Sequence, residues 1–271
     1  MSETLNNNEK NAADAFSKQA KNFDRLFSGN TIIRYKRKRV KDHISQFLSP
    51  NSKILELNCG TGDDAIWFAE NGHHVHATDL SDGMIAALKQ KISDHKLEER
   101  ISYEKCSFTA LNHLRNKGPY DLIFSNFAGL NCTGELNKVL QSFSSLMKPG
   151  GIITLVMLPK LCLWEFLFLF RGKFKPAFRR FFSSKGRKAI IEGESFQCWY
   201  YNPSYVIRHL ANEFELSGLE GLCTLVPPSY YENFAEKHPA LYRKLVVKEE
   251  KWKKKWPWKS IGDYYIISFR K

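Results

Sequence analysis

The sequence has no Cys-x-x-Cys pair, no His-x-x-x-His and no carboxylates clustered at ligand spacing. A metal centre of the zinc type is therefore not expected. No apolar run reaches the roughly 18–20 residues that a membrane-spanning helix needs. Leu161 to Phe170 is apolar but only ten residues long, and it contains Glu165. The opening residues, MSETLNNNEKNAADAF, are polar and lack the apolar core of an export signal, so export is not expected. The six cysteines (59, 106, 132, 162, 198 and 223) are scattered, which fits free thiols in a reducing cytoplasm. There is no internal repeat and no clear linker, and 271 residues suffice for a sizeable core. Acids are outnumbered, 28 against 41 basic residues, for a net charge of +13. That balance suits nucleic acid, an anionic membrane surface or an acidic carrier protein, and equally a solvated lysine-rich surface.

What is present is one dense stretch, Lys53 to Met84. Ile54, Leu55 and Leu57 form an apolar run with the length of a buried strand. Asn58-Cys59-Gly60-Thr61-Gly62 follows, and its two glycines let backbone approach a ligand closely. Asp63, read as the N-cap, and Asp64 open a helix whose Ile66, Phe68 and Ala69 face a sheet. Gly72 stops that helix, and His74 to Thr78 reads as a second strand with Asp79 at its tip. Such a unit sets backbone N–H groups and a helix N-terminus against a nucleotide-like ligand. The acid at the tip then holds ribose hydroxyls. His73, His74 and His76 alternate along a strand start, so they read as structural or surface residues.

The wording of these motifs is more specific than the glycines alone. Glu56-Leu57-Asn58-Cys59-Gly60-Thr61-Gly62 resembles the E/D-x-G-x-G-x-G loop of class I S-adenosylmethionine (SAM) methyltransferases. Thr78-Asp79-Leu80-Ser81, with Met84, resembles their second motif, and Lys148-Pro149-Gly150-Gly151 resembles the turn before their fifth strand. The resemblance is strong over residues 50 to 158 and weak in the C-terminal third. One departure is Asn58, where the family has Gly. Asn tolerates a left-handed backbone better than other non-glycine residues, so the turn is expected to survive. The resemblance implies a Rossmann-like α/β fold: a seven-stranded, mostly parallel sheet with helices on both faces, an N-terminal helical lid and an insertion after the fifth strand. It implies SAM as cofactor, bound by Glu56, Asn58, Gly60, Thr61, Gly62, Asp79, Leu80, Met84, Ser107, Phe108 and Asn126. It implies no metal.

Around that centre, residues 1–13 are polar enough to be a disordered tail, and 14–271 read as a single domain. Phe16, Ala20 and Phe23 are spaced as one helix face, and with Phe27 they are candidates for the apolar side of a lid over 14–31. Ile32 to Leu48 is expected to be a helix with Ile33, Val40, Ile44 and Phe47 inward. Its Arg34, Lys36, Arg37, Lys38, Arg39 and Lys41 would then form a charged solvent face, or else a nuclear signal or RNA patch. Ser81 caps a helix to about Asp94. Ile101 to Lys105 and Tyr120 to Ser125 are strands, Glu135 to Met147 is a helix, and Ile152 to Leu158 is the fifth strand. Residues 159–201 read as an aromatic and basic insertion covering the substrate end of the sheet. Ser195 to Tyr201 is expected to be a strand, Ser204 to Asn212 a helix, Phe214 to Val226 a strand and Tyr230 to Lys255 a helix. Asp263 to Phe269 alternates as a last, antiparallel strand.

In similar enzymes the segment after the third strand meets the adenine, often through an Asp. Here Ser107 stands at that place and offers a weaker, neutral hydrogen bond, with Phe108 able to pack on the ring. Methyl transfer from a sulfonium is an in-line displacement, for which a protein supplies positioning, desolvation and sometimes a base. No catalytic residue stands out; His113, His209 and Tyr201 are unsupported candidates for a base. Substrate contacts are expected from Phe127 and Asn131 on the fourth loop, and from Trp164 and Tyr200. The chain lacks the Asn-Pro-Pro-Tyr loop of amino-group nucleic-acid methyltransferases and the Pro-Cys pair of cytosine-C5 enzymes, so a nucleic-acid substrate rests on charge alone. The layout resembles the methyltransferases of quinone biosynthesis and those acting on acyl groups of carrier proteins. A small, largely apolar or aromatic acceptor methylated on oxygen or carbon is the expected substrate. A carrier-bound acyl group, an RNA and a non-catalytic SAM-binding role are the alternatives.

Overall fold

The computed structural model describes residues 6–167, 172, 174, 178–181, 183–231 and 233–271, with Phe27 described by its backbone. In chain order the elements that build the sheet are β1 (Lys53–Leu57), α3 (Asp63–Glu70), β2 (His74–Asp79), α4 (Asp82–His95), β3 (Ile101–Lys105), β4 (Tyr120–Ser125), α5 (Leu136–Leu146) and β5 (Met147–Met157). They are preceded by α1 (Asn7–Ser28) and α2 (Thr31–Ile44). After β5 come α6 (Leu163–Phe166), β6 (Arg187–Ile191), β7 (Glu194–Cys198), α7 (Pro203–Leu210), β8 (Glu215–Leu222), α8 (Phe234–Lys237), α9 (Pro239–Trp252) and β9 (Tyr264–Arg270).

The sheet has seven strands in the order β3-β2-β1-β4-β5-β9-β8. The first five pair in parallel, while β9 runs antiparallel to both β5 and β8. Side chains alternate along each strand, so β1 sends Leu55 and Leu57 to one face and Ile54 and Glu56 to the other. On the first face they meet Val139, Leu140 and Phe143 of α5 and Val206 and Leu210 of α7. On the second, Ile54 packs with Val40 and Ile44 of α2, Phe68 of α3 and Leu88 of α4. The sheet order reverses between β1 and β4, and in open α/β sheets such a crevice at the strands' carboxyl ends receives the ligand.

Four expectations change. Residues 7–13 are helical rather than a tail: the Asn6 side chain caps α1, and Glu9, Ala12 and Ala15 are buried by its first turns. The Asn8 amide ties this end down by donating to the carbonyls of Cys132 and Gln197. Next, the basic side of α2 is not all solvent face. Lys36 and Arg39 are buried beside Asp263, Glu220 and Glu249, because β8, α9 and the segment before β9 pack over that helix. Third, Pro239 splits the expected long helix into α8 and α9, since its ring occupies the first helical position of a new start.

Finally, the insertion holds a hairpin. Strands β6 and β7 pair antiparallel around Glu192-Gly193, both at positive φ, as a two-residue hairpin turn requires. This hairpin does not join the main sheet; its Phe196 packs on Phe16 of α1 at 5.8 Å between ring centres. The hairpin thus backs α1, and among the described residues none of the insertion's aromatics borders the cavity lined by that helix. Parts of the run Leu161 to Phe170 and of the basic segment after it, including Phe182, lie outside the described residues.

Candidate active site

A cavity opens at the carboxyl ends of β1, β2, β3 and β4, under α1. The turn after β1 forms its floor. Asn58, Gly60 and Gly62 all have positive φ (47°, 56° and 87°), and the turn is locked from within: the N–H groups of Cys59, Gly60 and Gly62 donate to the Thr78 carbonyl, the Asp79 carboxylate and the Cys59 carbonyl. A Cβ on Gly60 would meet nothing within 4 Å, so the open space beside it belongs to the cavity. A Cβ on Gly62 would stand 2.2 Å from Cδ1 of Leu88, so this glycine serves the approach of α4. Gly62 also occupies the cap position of α3, in the left-handed conformation. Asp63 is therefore one residue inside the helix, not its cap, and it pairs with Arg37 at 2.9 Å and with Lys91. Against the opposing effect of burial, those two cations hold its carboxyl below the usual range.

Asp79 reaches back from the tip of β2. One carboxylate oxygen accepts from the Gly60 N–H at 2.9 Å and the other from the Ser81 N–H at 2.9 Å. Burial still pushes its pKa up, because the backbone donors offset the lost hydration only in part. Glu56, on β1, is buried, and its Oε2 has no hydrogen-bond partner. Burial, then the like charges of Asp64, Asp63 and Asp79, raise its pKa well above the carboxylate range. An orphaned buried acceptor facing a cavity fits a cationic ligand group.

The remaining wall is apolar and is closed from above. Leu80, Met84, Cys106, Phe108 and Phe127 line it from the sheet side, and Ala12, Ala13, Phe16 and Phe23 line it from α1. Helix α1 is held down at three further points. The Ser17 hydroxyl accepts from Gly83 N–H at 2.7 Å, Thr61 donates to Asp24 at 2.6 Å, and Lys91 pairs with Asp24 at 2.8 Å.

Ser107 does not border the cavity with its hydroxyl. It donates to Glu9 of α1, which also accepts from Thr109 at 3.0 Å and Thr133 at 3.3 Å. Glu9 itself lines the cavity. A carboxyl group from α1 thus stands at the cavity wall where Ser107 is expected, with the Ser107 hydroxyl turned to it. Nothing in the polar opening of the chain signals this; it depends on α1 folding across the end of β3.

Asn126 lines the cavity too, donating to Asp64 Oδ2 at 2.7 Å. Phe127 borders it, with Lys36 over the same ring at 5.5 Å. Asn131 does not: its amide is consumed by Leu158 and by the Trp199 carbonyl at 2.6 Å, so it clamps the insertion to the fourth loop. Trp164 packs on Tyr231 and Phe234, and Tyr200 lies under Arg180 beside a different hollow. Neither lines this cavity: α6 carries Trp164 toward α8, and Tyr200 follows β7 of the separate hairpin. Tyr201 donates to the Thr133 carbonyl and His209 bonds the Tyr205 carbonyl, so these two are structural, and His113 is not among the lining residues. Burial raises the thiols of Cys59 and Cys132 well above their ordinary value and that of Cys106 to about 11, so none is a ready nucleophile.

In total the cavity carries Glu9, Glu56, Asp63, Asp64 and Asp79 against Arg37, on a chain whose net charge is +13. That local reversal of sign favours a positively charged ligand. A tight glycine turn with open space beside Gly60, an acid at the tip of β2 and an apolar cover from α1 fit a ligand with hydroxyls, a cationic centre and a flat ring. SAM, with its ribose, sulfonium, ammonium and adenine, has those features.

Comparison with known proteins agrees. Residues 54–151 match the family described as Methyltransferase domain. The chain is 32% identical over 105 residues to the tRNA 5-carboxymethoxyuridine methyltransferase of Escherichia coli (strain K12), covering 38% of this chain and 39% of that protein. It is 26% identical over 218 residues to the demethylmenaquinone methyltransferase of Bacillus cereus (strain ATCC 10987 / NRS 248), covering 78% and 88%. The chain thus spans about two fifths of the length of the first of these relatives. Its fold matches the Burkholderia thailandensis 1,6-didemethyltoxoflavin-N1-methyltransferase, solved with S-adenosylhomocysteine, at a TM-score of 0.55 and 14% identity, over 97% of this chain and 88% of that one.

Proposed function

Since the chain belongs to the class I SAM-dependent methyltransferase family, we propose that it transfers the methyl group of SAM to a small, largely apolar or aromatic acceptor. The observation that carries this reading is Asp79, half-buried at the cavity and bonded to the Gly60 N–H, with Glu56, whose Oε2 has no partner, lining the same space. Asp79 would hold the ribose hydroxyls, Glu56 the cationic amino-acid end, and Gly60 the close backbone approach. When bound, SAM supplies an electrophilic methyl group on a sulfonium, primed for in-line displacement.

The chain's own residues then position and dry the reaction. Phe16 and Phe23 of α1 close the cavity from above while Phe127 borders it from the fourth loop, which excludes water from a charged centre. The apolar wall supports an apolar acceptor, and likeness to a demethylmenaquinone methyltransferase points the same way.

Titration calorimetry with SAM, followed by a turnover screen against quinols, phenols and acyl carriers, tests the proposal. Asp79→Ala should lower SAM affinity by about 1.5–3 kcal/mol, the worth of an ionic hydrogen bond. Unchanged affinity in a folded variant would remove the assignment of the cavity. Binding without turnover on any acceptor would mark a SAM-binding scaffold instead.

A further inference from the structure

Helix α9 reads as mixed in charge, with Arg243, Lys244, Lys248, Glu249, Glu250 and Lys251, and three further lysines follow it at 253, 254 and 255. The fold separates these charges. Tyr242, Leu245 and Val246 pack toward Ile32, Cys223 and Val226. Glu249, on the same side, is buried and receives the N–H groups of Cys223, Leu225 and Val226. Glu249 is thereby taken inside; Glu250 stays 57% exposed but is paired with Arg39 and Lys253, so the outer face carries an excess of cations.

Lys244, Lys248 and Lys251 share that face at helical spacing, and Lys254 and Lys255 continue it beyond the helix end. With Arg243 they are exposed and make no ion pair among the described residues. Apolar groups stand among them: Val247 is 70% exposed, Leu241 48% and Trp256 81%. A face kept only for solubility interleaves both signs and avoids exposed tryptophan.

We infer that the outer face of α9, with the turn through Trp256, docks the protein on an anionic lipid surface. Unpaired lysines supply attraction to lipid phosphates. Val247, Leu241 and Trp256 supply groups that settle at the acyl boundary, for which a nucleic-acid backbone has no use. Five of the six cations are lysine, a point charge that demands no particular geometry from its partner. No helix among the described residues is long and apolar enough to cross a membrane, so the contact is peripheral. This inference stands apart from the methyl-transfer reading, since it uses no cavity residue.

The test is co-sedimentation of the full chain with phosphatidylcholine vesicles and with vesicles containing 30% phosphatidylglycerol, at low and high salt. Binding is expected only to the anionic vesicles and should weaken with salt. The variant K244Q/K248Q/K251Q should lose affinity on the order of a hundredfold, at about tenfold or less per lysine. Trp256→Ala should leave the salt dependence intact but reduce the bound fraction, and circular dichroism and SAM binding should match the parent in both variants. Equal binding to neutral vesicles, no binding to anionic ones, or an undiminished triple variant would overturn the inference. So would polyuridylate displacing the protein from vesicles at lower phosphate concentration than the lipid itself, which would assign the face to RNA.

Discussion

Asn58 and Gly129 fit one another: a Cβ on Gly129 would stand 2.1 Å from Cγ of Asn58. Asn58 occupies a left-handed position in the ligand turn, and its amide donates to the Asn126 carbonyl at 3.0 Å and accepts from Ser125 Oγ at 2.6 Å. The side chain therefore ties the first loop to the fourth, and the missing side chain at 129 makes room for it. Gly129→Ala should destabilise the protein by about 1–3 kcal/mol through overpacking. Asn58→Gly in the same molecule should restore much of that loss. Thermal unfolding of both single variants and the pair would show it; strictly additive losses would mean the two positions are not coupled.

Glu9 is expected to report on the lid. Glu9→Ala leaves the hydroxyls of Ser107, Thr109 and Thr133 without their shared acceptor and frees the first turn of α1. Trypsin should then cut within α1 faster than in the parent protein. SAM affinity should fall about tenfold or more, the cost of losing an ionic hydrogen-bonding group at a buried site. Glu9→Gln, which retains size but not charge, should protect α1 better than Ala while still binding SAM more weakly. Unchanged proteolysis in Glu9→Ala would show that Asn8, Ser17 and Asp24 hold the helix without it.

The two glycines of the ligand turn should separate stability from binding. Gly60→Ala meets open space, so its cost to folding is the left-handed backbone alone, about 1–2 kcal/mol. Its methyl group would enter the cavity and should reduce SAM affinity sharply. Gly62→Ala carries the same backbone strain and also collides with Leu88, so it should lower the melting temperature more than Gly60→Ala does. The reverse order of melting temperatures would contradict these assigned roles.

Stability should fall at acid pH through the charged cluster between α2 and β8. Although burial opposes it, the His43 hydrogen bond at 2.8 Å and the charges of Arg39 and Lys253 hold the Glu220 carboxyl down to about 2, from 4.5. A carboxyl depressed in the folded state contributes stability above its unfolded pKa and loses it as pH falls toward the folded value. The contribution is on the order of 3 kcal/mol, present above pH 4.5 and lost between there and pH 2. Urea midpoints at pH 7, 4.5 and 2.5 would measure it. Glu220→Gln should be less stable at pH 7 and should decline less than the parent between pH 4.5 and 2.5. A parallel decline in both would place the acid sensitivity elsewhere.

The glycine turn after β1 and the sheet around it are legible in the sequence. Glycine spacing, the acid at Asp79 and the apolar runs of β1, β4 and β5 encode local conformation within a few residues, so they are legible without contacts. The last strand, Tyr264–Arg270, was likewise visible from its alternation. Which charges face inward and what closes the cavity depend on long-range packing. Glu9, Lys36, Arg39 and Glu249 sit in polar stretches, and each is buried because a distant element, not a neighbour in sequence, supplies its partner. Composition and position point Trp164, Tyr200 and Asn131 toward the site. Their packing on α8, Arg180 and the insertion depends on how the chain after β5 returns, and local pattern carries no record of that path. Periodicity reports which side of an element is apolar; the partner that covers it is set by long-range packing.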